Sequence, residues 1–159
     1  MPGMRQVQVF MSEEPPAETS GRIYTHSIRV DAACIDENRH ANNVVYLQWM
    51  NEASLLHFET IGGPALMSES GVTWVARAHQ IKYLRPVYQD DELLLKTWVS
   101  TVEKVKSRRC YEFLVEGSLV ARGETEWVCV DIRSGRPRKI PGEVVEMINH
   151  VLSGEGESR

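Results

Sequence analysis

A chain of 159 residues, 42% hydrophobic and 25% charged, holds enough apolar material for one core and little for a second domain. Its net charge of -4 and evenly spread basic residues exclude the electrostatic footprint of a nucleic-acid binder. Three cysteines, Cys34, Cys110 and Cys129, lack C-x-x-C spacing and so suggest neither a disulfide framework nor a zinc site.

Residues 1–20 are rich in Glu, Pro, Ser and Gly and read as a disordered leader without the apolar stretch of a secretory signal. Residues 154–159 read as a flexible tail, which leaves a folded domain over 21–153. No apolar run approaches the ~20 residues needed to cross a bilayer. Reduced thiols and the missing signal point to a cytoplasmic protein with no membrane partner.

Loose alternation with Ile23, Ile28 and Val30 predicts a strand over 22–30. The polar loop DENRHANN follows. Val45, Trp49, Ala53 and Leu56 then recur at helical spacing, with Tyr46 and Met50 alongside. A helix is predicted over 43–60, capped by Asn42 and ended by Gly62-Gly63-Pro64. A loop through Gly71 leads to four segments of period two, at about 73–84, 92–103, 108–116 and 119–132. Glu116-Gly117-Ser118 suits a hairpin, and a short amphipathic helix over about 142–152 closes the domain. The layout is α+β: a curved antiparallel sheet wrapped around one long central helix. One helix cannot cover such a sheet's edges, so a homodimer or homotetramer is expected.

The stretch DENRHANNVVYLQWMNEA carries the chemistry. Asp36 stands seven residues before the first turn of the helix, where bare N–H groups stabilise negative charge. Such N–H groups can polarise an acyl carbonyl, and a nearby carboxylate can attack it or activate a water. An Asp just before a helix is more often only a turn or capping residue, and the spacing leaves both readings open.

These residues resemble the hotdog acyl-CoA thioesterases of the 4-hydroxybenzoyl-CoA thioesterase type. That family carries a pattern D-x-x-G-H-V-N-N-x-x-Y followed by an E-A pair, here D-E-N-R-H-A-N-N-V-V-Y. Further resemblance lies at VARAHQIKYLRP (75–86), Asp91-Glu92-Leu93 and WVCVDIRSGRP (127–137), so it spans nearly the whole predicted domain. It implies the hotdog fold and hydrolysis of an acyl-CoA, with an acyl carrier protein as the alternative carrier. No cofactor or metal is implied, since coenzyme A is part of the substrate.

Carried over residue by residue, the resemblance makes Asp36 the nucleophile or general base and the Asn43 backbone N–H the oxyanion donor. Asn42 and Asn43 would hold the loop and Tyr46 would shape the acyl pocket; apart from the resemblance, His40 is open to two readings, binding or proton transfer and stabilisation of the loop. Coenzyme A would also bring phosphates, for which the arginine fork is well suited, and Arg85 and Arg109 are preferred for them among the available basic residues. Arg39 departs from the family glycine and Asp90 from the glycine of a G-D turn. Glu52 competes with Asp36 as the catalytic carboxylate, although a helix Glu is normally a solvated surface residue. His57 and His79 read as structural, and Cys34 lacks a readable His partner. Two alternatives stay open: a non-catalytic acyl-thioester binding module, and a hotdog enoyl-thioester hydratase or dehydratase.

Overall fold

Period-two alternation over long segments becomes an antiparallel sheet in the computed structural model, which describes residues 23–153. The expectations for 1–20 and 154–159 fall outside the described residues. Strand β1 is Tyr24–Arg29, β2 Val72–Tyr83, β3 Glu92–Glu103, β4 Lys106–Val115 and β5 Ser118–Asp131. They lie in the order β1-β3-β4-β5-β2, every neighbouring pair antiparallel. Irregular register at Ala76/Ala78, Val99/Thr101 and Phe113/Leu114 bends three of the four strand pairs, as bulges do, and the sheet curves. Among the described residues, strand β2 pairs only with β5, so its other edge offers unpaired backbone groups along 12 residues.

Helix α1 spans Asn43–Thr60, as the spacing predicts. Its buried stripe is Tyr46, Trp49, Met50, Ala53, Ser54 and His57, the i, i+3, i+4, i+7 face that must meet a core. A short helix α2, Gly63–Glu69, occupies part of the stretch expected to be loop. Pro64 ends the first helix but is well suited to the first turn of the second, where its missing N–H has no partner to lose. Gly62 supplies the left-handed corner between them, with φ of 74°. Helix α3, Gly142–Ser153, closes the described chain.

Two apolar clusters result. One gathers Tyr46, Trp49 and Met50 of α1 against Leu93, Leu95, Tyr111, Phe113 and Ala121 of the sheet. Tyr46 meets Trp49, Phe113 and Tyr83 edge to face. The other gathers Met67, Val72, Cys129, Ile140, Val144 and Ile148 under α2 and α3.

At Gly123 of β5 the Met50 side chain of α1 packs directly onto the strand backbone. A Cβ placed there would stand 2.8 Å from Met50 Sδ and 2.9 Å from its Cε. Gly123→Val should therefore lower the unfolding free energy by about 1–3 kcal/mol through overpacking, read by urea denaturation. Trimming Met50 to Ala in the same chain should return part of that loss. Strict additivity of the two substitutions would show that this contact does not limit the packing.

Candidate active site

The loop before α1 is held almost entirely by backbone bonds. Ile35 and Ala41 form a bridge, the Asp36 N–H donates to the His40 carbonyl (3.1 Å), and the Arg39 N–H donates to the Asp36 carbonyl (3.0 Å). The Ala41 N–H reaches the Val87 carbonyl at 2.7 Å and the Asn42 N–H the Cys34 carbonyl at 2.8 Å. Within this turn Arg39 takes the left-handed conformation, with φ of 65°. This is the position where the resembling family carries glycine, so the backbone geometry is retained at some steric cost. Asp90 likewise takes φ of 68°, which an Asp side chain tolerates better than most.

Asp36 is half-buried. Its Oδ1 accepts the Asn38 N–H at 2.8 Å, a local turn that fixes the carboxylate, while Oδ2 has no hydrogen-bond partner among the described residues. Asn42 caps α1 as expected: its Oδ1 accepts the Val44 N–H at 3.0 Å and its carbonyl accepts the Val45 N–H at 3.1 Å. The Asn43 N–H at the head of the helix has no acceptor among the described residues. The Asn43 carbonyl accepts from the Tyr83 hydroxyl at 2.9 Å, which ties the helix start to the end of β2. Fixed carboxylate and free helix N–H thus belong to one short, rigid segment.

Of the remaining predicted residues, His40 shares this loop, and Tyr46, Arg85 and Glu52 stand apart from it. His40 is half-buried in the same loop, its Nδ1 3.5 Å from the Ala41 carbonyl. Tyr46 is 2% exposed and sits in the apolar cluster, where burial drives its phenol up to about 12. Arg85 is exposed on the segment after β2, its backbone N–H donating to the Val120 carbonyl at 3.1 Å. Glu52 lies on the outer face of α1, 3.9 Å from His26 Nε2. Burial raises the Cys34 thiol, which weakens any nucleophile there.

Arg109 is the correction. It does not stand at the surface to meet phosphates but is 6% exposed beneath α1. Its phase along β4 carries the signal, because Ser107, Arg109, Tyr111 and Phe113 share the inward row. Arg109 Nη1 donates to His57 Nδ1 at 2.9 Å and to Thr97 Oγ1 at 3.2 Å. Ser54 and Tyr111 join hydroxyl to hydroxyl alongside, and Tyr24 stacks on His57 with ring centroids 5.3 Å apart. A cavity of about 360 Å³ opens here, at the end of α1 away from Asp36.

Residues 30–148 match the thioesterase-like superfamily. The chain is 24% identical over 128 residues to the long-chain acyl-CoA thioesterase FadM of Escherichia coli strain K12, covering 79% of this chain and 96% of that one. Among solved structures, the probable thioesterase YbaW from Escherichia coli superposes with a TM-score of 0.75 at 22% identity, over 80% of this chain and 98% of that one. The DHNA-CoA thioesterase from Staphylococcus aureus gives 0.74 at 21% identity, over 86% and 95%. These structures share the fold seen here, a helix held in a curved antiparallel sheet.

Burial, and then the neighbouring Arg109 charge, lower the His57 pKa from 6.5 to about 4. Between those values the unfolded chain binds a proton that the folded chain refuses, so stability rises with pH across that window. The contribution of neutral His57 is complete above about pH 6.5 and is lost as pH falls towards about 4, on the order of 3 kcal/mol in all. Thermal unfolding should therefore fall more steeply in the wild type than in His57→Gln from about pH 7 to about pH 4.5. Equal slopes in the two proteins would contradict the buried neutral imidazole.

Proposed function

Because the chain belongs to the thioesterase-like superfamily and is a thioester hydrolase, we propose that it cleaves an acyl-CoA at Asp36, with the Asn43 N–H as oxyanion donor. The observation that carries this reading is the pairing of a fixed Asp36 carboxylate, Oδ2 unengaged, with an uncapped N–H at the head of α1. The thioester oxygen accepts from the Asn43 N–H, which stabilises the charge that develops as the carbonyl is attacked. Asp36 Oδ2 then takes one of two parts. As base it removes a proton from the attacking water; as nucleophile it bonds to the acyl carbon, and water cleaves the resulting anhydride. In both routes the C–S bond breaks, the thiolate of coenzyme A leaves, and a carboxylic acid is released. His40 and Asn42 maintain the loop, Tyr46 supports the acyl pocket from the core, and the exposed Arg85 meets coenzyme A phosphates.

The reading includes a homodimer. The unpaired edge of β2 and the 48% exposure of Val75 on that strand are what a second copy would cover. Antiparallel pairing of two β2 strands would set the N-terminal half of one beside the C-terminal half of the other. Since Tyr83 at that C-terminal end holds the start of α1, each Asp36 loop would then face the other copy.

Asp36→Asn keeps an oxygen for the Asn38 N–H, so it should fold normally yet lose about 10²–10⁴-fold in kcat, measured as thiol release from a panel of acyl-CoAs. Undiminished turnover would transfer the role to Glu52. Single turnover in oxygen-18 water separates the routes, since only the anhydride path leaves label in Asp36. Sedimentation velocity should return twice the 18.1 kDa chain mass, and a fully active monomer would refute the paired-edge reading.

A further inference from the structure

Arg109 presents an electrostatic problem that its own chain does not solve. It is 6% exposed, and no carboxylate stands within 4 Å of it among the described residues. Its two hydrogen-bond acceptors, His57 Nδ1 and Thr97 Oγ1, are neutral atoms, and both bonds run through Nη1. Nε and Nη2 donate to no protein atom among the described residues. The ionisable groups that favour its charge are the Tyr111 phenol and the Cys110 thiol, neither of them a carboxylate. A buried cation in such surroundings is costly unless an anion accompanies it.

The space beside it has the matching character. The cavity of about 360 Å³ is walled by Leu55, Phe58, Met67, Trp74, Trp127 and Ile148, and Arg109 is the one cation lining it among the described residues. That volume falls in the range of small-molecule sites. A phosphate monoester would bring about two negative charges to a single guanidinium in an apolar chamber, leaving one uncompensated. A carboxylate brings one, and its two oxygens match a guanidinium fork.

We infer that this cavity binds an apolar molecule ending in a single carboxylate, the head group paired with Arg109 Nε and Nη2 and the tail lying along Phe58, Trp74 and Trp127. Two sources share that chemistry: a free fatty acid, and an acyl-CoA whose acyl chain carries a carboxylate at its far end. Binding needs no turnover, so the inference stands apart from the role proposed for Asp36.

Trp74 and Trp127 provide the readout. Decanoate should change their fluorescence saturably and bind at least about tenfold more tightly than decanol, which has the same tail without the charge. Arg109→Met should abolish that preference while leaving decanol binding in place, because replacing a buried charge with an apolar side chain of similar length is well tolerated. In the unmodified protein, carboxyl-labelled decanoate should stay ionised, by carbon-13 NMR, well below the pH at which the free acid protonates. This second measurement does not depend on the variant folding. The sources separate in the Asp36→Asn protein. Octadecanedioyl-CoA, long enough to run the length of α1, binding about tenfold more tightly than octadecanoyl-CoA assigns the cavity to the acyl chain, and equal binding alongside tight decanoate assigns it to the free acid. Decanoate binding no better than decanol, a preference that survives Arg109→Met, or a bound decanoate that protonates like the free acid would each overturn the inference.

Discussion

The approach of α1 to the sheet at Gly123 sets the depth at which every other residue of the helix lies. With no side chain on that residue, Met50 descends onto β5 and brings Tyr46, Trp49 and Ala53 into contact with the inward rows of β3, β4 and β5. Edge-to-face contacts of Tyr46 with Tyr83 of β2 and Phe113 of β4 then hold the helix against rotation about its own axis. A helix so placed fixes both of its ends, and each end holds one of the two proposed sites.

At the N-terminal end, order comes from the backbone. Bonds among residues 34–42, and the single bond from Ala41 to Val87, fix the loop with little help from side chains. Arg39 pays for this closure in conformational strain, since a side chain in the left-handed region crowds the following carbonyl. The result is a carboxylate held by one oxygen and a helix terminus with one N–H still available. Catalysis by preorganised groups requires this arrangement, because neither has to be reoriented as charge develops.

At the C-terminal half, polar groups enter the core instead of leaving it. Ser54 and His57 stand on the buried stripe of α1, opposite Thr97, Arg109 and Tyr111 of the sheet. The ring of His57 remains neutral because a proton there would face both burial and the Arg109 charge. One interior thus holds an apolar half under the start of α1 and a charged, partly hollow half under its end. The difference lies in which residues of a common periodicity happen to be polar.

Local pattern alone determined most of the architecture. The helix bounds 43–60, the Asn42 cap and the long strands follow from periodicity and turn chemistry, which act over a few residues and need no knowledge of the fold. Helix α2 escaped because Pro64 reads as a breaker, while its fixed φ serves equally well to begin a new helix. Asp36 was legible as a carboxylate before a helix, and the resemblance of the loop added a family to it. Which of its oxygens is engaged, and which N–H of α1 is spare, depend on bonds that spacing does not specify. Arg109 shows the boundary most clearly. Its inward phase on β4 is written in the sequence, but the missing counter-charge is not. That absence depends on which side chains from α1, β3 and β4 converge on one point, and only the tertiary structure brings distant residues within the few ångströms where charge and burial decide.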